Sequence, residues 1–236
     1  DAGTTSGNTT ICAVSNWGNV SVAGITGNVI RWEMANSPSG PWFTSSNTNT
    51  TLTYSNLIQT TYFRPVVKTA SCPEAIGGAA VITVDNATVA GFVIGGTSVC
   101  FGNNSGTLNL VYQNGLVNKW QQSIDNGANW TDIVSNATSY TFSNLTTTTL
   151  FRAEVQNGTC TALFSAAATV NVNPLPAGSF TADILKGCAP LAVNFTAQSG
   201  NSNDVYNWAL GGGGGGNASG NPVSIVYTDP GFYSVN

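Results

Sequence analysis

The chain has 236 residues, of which 7% are charged, with six Lys/Arg against ten Asp/Glu, no His and a net charge of −4. So few cations, none of them clustered, argue against a nucleic-acid partner, because phosphate neutralisation needs grouped Lys and Arg. Apolar residues make up 42%, enough to build cores, and no run approaches the ~18 apolar residues of a membrane span.

From the N-terminus, "NVSVA" places Val20 and Val22 on one face of a strand by period-two alternation. "VIRW" follows after a turn at Gly27, and "TTYFRPVVKTASC" ends a later strand at Cys72. The pattern then starts again. At an offset of 88 residues the chain matches itself without a gap over residues 1–84. Cys12 meets Cys100, Trp32 meets Trp120, Trp42 meets Trp130, "SNL" meets "SNL" and Cys72 meets Cys160. In the second copy "TLNLV" places Leu108 and Leu110 on one face, and "SIDNGANW" carries a hairpin turn. "LFRAEV" points Phe151, Ala153 and Val155 inward, with Arg152 and Glu154 outward. No segment shows a helical stripe. About seven short strands per copy, with an inward Trp, predict an immunoglobulin-like or fibronectin-type sandwich for residues 1–88 and again for 89–175.

Cys12 and Cys72 have the same spacing as Cys100 and Cys160. The repeated spacing predicts one disulfide inside each copy, Cys12–Cys72 and Cys100–Cys160, each worth roughly 4 kcal/mol in the chain-entropy model. Such bridges imply an oxidising, extracytoplasmic setting. Domain boundaries are expected near 87–89 and 173–177, the latter in the stiff linker "NPLP". Neighbouring domains are expected roughly end to end.

Residues 176–236 read differently. Cys188 keeps the period, but "GCAPLAVNFTA", "VYNWALGGGGGG" and "NPVSIVYTDPGFYSV" follow it. Tyr206, Trp208, Pro222, Tyr227, Pro230, Gly231, Tyr233 and Val235 resemble the pattern of the PKD domain, a β-sandwich. The segment departs from that family at Ala209, Leu210 and Val226, and it lacks the acids that a calcium or polar-loop role would need. Gly211–Gly216 has no following helix start or Lys to make a phosphate cradle and reads as a turn, or as a stretch whose side chains were never identified. The expected fold is therefore all-β: tandem Ig-like sandwiches followed by a truncated PKD-like sandwich. The chain is expected to be an internal piece of a longer polypeptide. Cys188 is expected to be unpaired in it, with a partner 8–14 residues past Asn236.

The whole combination, from "WQQSIDNGANWTDIV" to "GFYSV", resembles the repeat regions of large secreted surface proteins of Bacteroidota, among them gliding-motility adhesins and other type IX secretion cargo. The resemblance implies an exported, extracellular or cell-surface protein whose domains act as spacers or adhesive units. Its expected partners are neighbouring domains of the same chain, surface glycans or other cell-surface proteins.

Catalysis is not expected. There is no His, the acids do not recur at repeat positions, and the residues offer no catalytic, cofactor or metal set. Arg64 and Arg152 are expected to pack along a neighbouring strand or an aromatic face. Trp32 and Trp120 belong to the cores. Trp42 and Trp130, beside hairpin turns, are the candidates for glycan contact. The second functional reading is accordingly a carbohydrate-binding accessory region of a secreted enzyme.

Overall fold

The computed structural model describes residues 1–175, 178–198, 205–211 and 216–236. The end of the proline linker (Pro176 and Ala177) and residues 212–215 of the glycine run lie outside the described residues, and so do the expectations that fall on them. The chain divides into two compact units, Asp1–Asn173 and Pro174–Asn236.

In the first repeat the strands are β1 (Thr4–Ser6), β2 (Thr9–Cys12), β3 (Trp17–Ala23), β4 (Asn28–Ala35), β5 (Phe43–Ser45), β6 (Thr51–Ser55), β7 (Thr61–Lys68), β8 (Ala75–Ile76) and β9 (Ala80–Asp85). One sheet has the order β1-β3-β6; the other runs β2-β9-β7-β4-β5, with β8 also on β7. Alternation builds the core between them. Val20 and Val22 of β3 and Phe63 of β7 are buried and meet Trp32, which is fully enclosed.

Val29 and Trp32 both point inward although three residues apart, which strict alternation forbids. A bulge between Val29 and Arg31 resets the phase, as an extra residue in one strand does. The second repeat carries the same irregularity between Val117 and Lys119.

That repeat reproduces the arrangement with β10 (Phe92–Ile94), β11 (Ser98–Cys100), β12 (Ser105–Val111), β13 (Leu116–Ser123), β14 (Thr131–Ile133), β15 (Ser139–Ser143), β16 (Thr149–Gln156), β17 (Leu163–Phe164) and β18 (Ala168–Asn173). Its sheets are β10-β12-β15 and β11-β18-β16-β13-β14, with β17 on β16. Trp120, Phe142 and Phe151 fill the core. Each repeat is thus an all-β sandwich of a three-stranded and a larger sheet. In each repeat every pairing between these strands is antiparallel except one, and in the second an isolated bridge from Phe92 to Ala166 is parallel as well. The short strands β2 and β11, which carry the opening cysteines, run parallel to β9 and β18.

Pro174–Asn236 holds β19 (Ser179–Ala182), β20 (Leu191–Gln198), β21 (Asn207–Ala209), β22 (Asn217–Ser219) and β23 (Val223–Tyr227). The order β19-β20-β23 makes one sheet and β21-β22 a ribbon. Val193, Phe195, Trp208, Leu210 and Tyr227 form its core, where Tyr227 donates its hydroxyl to the Leu210 carbonyl at 2.8 Å. No helix occurs among the described residues.

Candidate functional site

Two places gather the residues singled out from the sequence. The first is the junction between the repeats. Parallel pairing of β2 with β9 brings Cys12 beside Asp85, at the end where the chain leaves the first sandwich. Strand β7 runs the other way against β9, so Cys72, in the loop after β7, lies at the opposite end. Eight residues of β7 at ~3.3 Å each put the two cysteines roughly 25 Å apart. A disulfide needs Cα atoms within about 7 Å. The expected bridges Cys12–Cys72 and Cys100–Cys160 are therefore corrected: Cys12 bonds Cys160, with Cα atoms 4.8 Å apart and 148 residues between them in sequence. Cys72, Cys100 and Cys188 are free and exposed.

Hydrogen bonds close the same junction. The Asp85 carboxylate accepts from the Thr159 amide at 2.8 Å and its hydroxyl at 3.0 Å. Gly158 has a positive φ, and a Cβ there would collide with that carboxylate. Asn157 donates its side-chain amide to the Asn86 carbonyl at 2.8 Å, and Asn114 donates to the Ala87 carbonyl at 2.9 Å. Val89 and Asn114 also exchange backbone bonds. Residues 85–89 are thus a strap hydrogen-bonded along the top of the second sandwich.

Each opening cysteine is held by an asparagine that the repeat alignment contains but that carried no signal of its own. Asn16 donates to the Cys12 carbonyl at 2.8 Å and the Leu57 carbonyl at 2.7 Å, and accepts from the Leu57 amide at 2.8 Å. Asn104 does the same for Cys100 and Leu145. The repeated "SNL" supplies the other side of this clamp, with Asn56 and Asn144 at positive φ just before the captured leucine.

The second place is a face of the larger sheet. The Arg64 guanidinium lies 3.7 Å above the Trp42 ring, and Arg152 lies 3.9 Å from Trp130 and 4.0 Å from Phe164. Both Trp42 and Trp130 are half-buried, one ring face being taken by the arginine. In the first repeat Arg64 also pairs with the buried Glu33 at 2.7 Å, and Arg31 bridges Glu33 and Glu74 at 3.0 and 2.8 Å. The hydrogen bond to Glu74, then that to Glu33, raises the Arg31 pKa, and the same contact lowers that of Glu74. In the second repeat Arg152 donates to Gln121 at 2.9 Å, Gln121 donates to Asp132 at 2.7 Å, and Lys119 pairs with Asp132 at 2.9 Å. The hydrogen bond from Lys119, then that from Gln121, holds the Asp132 carboxyl below its usual range, while burial lowers Arg152.

Beside Trp130, Asp125 accepts from the Asn129 amide, the Asn129 side chain and the Ser123 hydroxyl, which hold its pKa down at about 2. These three bonds tie the carboxylate to its own turn. Among the described residues no three His, Cys, Asp or Glu side chains gather as a metal set.

Strand order and a shared core define a tandem of Ig- and fibronectin-like β-sandwiches. A family model described as a domain of unknown function, DUF8696, matches residues 1–86 and again 89–174, and the chain belongs to that family. No curated protein matches the sequence. Among solved structures the chain is similar to a marsupial T cell receptor at 12% identity and TM-score 0.48, covering 96% of this chain and 99% of that one. Chicken CNTN1 domains FN1–FN3 match at 10% and 0.35, covering 92% and 85%. Titin domains A168–A170 match at 11% and 0.41, covering 71% and 62%. The fold rests on the strand order and cores above, not on these distant likenesses.

Proposed function

We propose that this chain is a non-catalytic structural or adhesive repeat region of a large exported cell-surface protein, of the kind its sequence resembles in Bacteroidota. The observation that carries the reading is the junction. A disulfide and a hydrogen-bonded strap turn two sandwiches into one linked unit, which suits a spacer that must hold its neighbours in fixed order. A bridge of this kind persists in oxidising compartments, in keeping with an extracellular site of action. The polar face repeated in both sandwiches is spent on itself: both arginines and both half-buried tryptophans satisfy each other. Partners in this reading are the neighbouring domains of the same long chain.

A glycan array probed with the full chain tests the proposal, alongside limited proteolysis with and without reductant. Under the structural reading no glycan is retained, and the 85–89 strap resists cleavage until Cys12–Cys160 is reduced. Glycan binding that disappears in Trp42→Ala or Trp130→Ala would replace this reading with a carbohydrate-binding accessory role.

A further inference from the structure

The bridge between the repeats leaves two exposed cysteines, Cys72 and Cys100, and the repeat gives each a counterpart that is bonded. Cys100 occupies in the second repeat the place of Cys12 in the first. Both end a short strand parallel to the last strand of their sheet. Both are followed by a residue whose amide donates to that strand at 2.9 Å, Ala13 to Asp85 and Phe101 to Asn173. Both are gripped at the carbonyl by an asparagine, Asn16 or Asn104. Cys72 likewise stands where Cys160 stands. Its amide donates to Thr69 at 2.8 Å, as that of Cys160 donates to Asn157 at 2.9 Å, and the turn before it holds a positive φ at Ala70 as the other does at Gly158. By the strand directions, Cys72 lies at the end of the first repeat away from the junction. Cys100 lies at the end of the second repeat away from the junction. The pair of repeats therefore carries one open half of the clasp at each end.

We propose that Cys72 and Cys100 are the unpaired halves of a propagating clasp, and that each bonds the complementary cysteine of a further repeat of this family docked head to tail. In solution a second copy of this chain supplies it, Cys100 of one copy bonding Cys72 of the next. The contact is heterologous, so it extends into a row instead of closing as a symmetric dimer. The hydrogen-bonding groups around it are complementary too. Asn173 offers a side-chain carbonyl in the place of Asp85, and Ser71 offers an amide and a hydroxyl in the place of Thr159. The oxidant is a small-molecule disulfide. The Cys72 thiolate attacks oxidised glutathione and expels one glutathione thiolate. The Cys100 thiolate of the second copy then displaces the other, so two thiols and one glutathione disulfide become one protein disulfide and two glutathiones. The inference extends the reading of the pair as links of a longer row. It can fail while that reading stands, because Cys12–Cys160 is independent of it.

The full chain carrying Cys188→Ser, incubated in a glutathione redox buffer and run on a non-reducing gel, provides the test. Expected are dimers and a ladder of longer species, with Cys72–Cys100 as the interchain peptide pair found by mass spectrometry. Adding Cys72→Ser or Cys100→Ser should leave each single variant monomeric. Mixing the two should give a disulfide-linked dimer, and nothing longer, in a yield that neither variant reaches alone. Ala70→Gly, which restores the room that Gly158 gives Asp85, should raise that yield. Dimerisation of a single variant by itself would show unguided Cys72–Cys72 or Cys100–Cys100 collision and overturn the proposal. So would glutathione capping of both thiols with no interchain bond. Circular dichroism of each variant separates these outcomes from misfolding.

Discussion

The two repeats share a scaffold and differ in where they keep their negative charge. In the first, Glu33 sits buried under two arginines, Arg31 and Arg64, at the centre of the sheet. In the second the same strand position is Gln121, and the acid has moved one strand outward to Asp132, reached through the amide of Gln121. Thr44 holds the Asp132 position in the first repeat. The arginine on the tryptophan ring is common to both. A guanidinium over an indole therefore belongs to the scaffold, whereas the counterion is free to change address provided some acceptor stays in hydrogen-bond reach.

The largest effect should come from the bond that prevents the repeats from being compared separately. Reducing Cys12–Cys160 opens a loop of 148 residues, for which the chain-entropy model gives about 5 kcal/mol. Denaturant curves of the full chain with and without reductant should show the Asp1–Asn173 unit weakened by several kcal/mol and its two repeats unfolding at separate midpoints. One unchanged transition would mean that the strap alone couples them.

Next come the shared cores. Trp32 and Trp120 are both fully buried, and each donates its indole N–H to a carbonyl at 2.9 or 2.8 Å, of Asn49 or Ala137. Trp32→Ala and Trp120→Ala should each cost about 3–5 kcal/mol. Urea unfolding followed by the remaining tryptophans checks this, and a markedly unequal pair of losses would break the equivalence of the two scaffolds.

The relocated acid gives a smaller and more selective test. Glu33→Gln removes a charge-assisted partner from two arginines, at about 1.5–3 kcal/mol before solvent screening of their exposed portions. Adding Thr44→Asp to that variant reproduces the second repeat's layout and should recover part of the loss. If the double variant is no more stable than the single, the two layouts are not interchangeable.

The smallest effect concerns pH. Asp125 has no counterpart acid in the first repeat, where Ser37 occupies its place. Hydrogen bonds from Asn129 and Ser123 hold its pKa at about 2, against 3.8 for a free carboxylate. A lowered folded-state pKa stabilises above the unfolded value and ceases to do so as pH falls through the folded one, here between about 4 and 2. Carbon-detected NMR titration should find Asp125 still ionised at pH 3, and Asp125→Asn should remove the acid sensitivity of that hairpin. A midpoint near 4 would refute it.

Much of this was legible in the sequence. Alternation located Val20, Leu108 and Phe151 in strands, and two tryptophans in register marked the cores. The disulfide was not. Equal spacing from Cys12 to Cys72 and from Cys100 to Cys160 is just as much a property of a staggered bridge between copies, so spacing alone could not separate the two. The deciding fact is the parallel pairing of β2 with β9, which sends Cys12 to the far end of its sandwich. Short parallel edge strands leave no periodic trace. The Asn16 and Asn104 clamps escaped for a related reason: an asparagine between strands reads as a turn residue, and its two carbonyl partners are distant in sequence.

The staggered bridge also changes how the chain would carry tension. Once β1, β2 and β18 have peeled from their neighbours, a pull applied at the two termini passes along the covalent chain through Cys12 directly into Cys160 and bypasses the backbone between them. Nearly the whole first sandwich and most of the second would hang as an unloaded loop. Extended, that loop is worth roughly 500 Å of length. It would stay hidden under oxidising conditions, even if both sandwiches unfolded, and be released in a single event by one thiol exchange. An extension trace lacking that length until reductant is added would locate the load path.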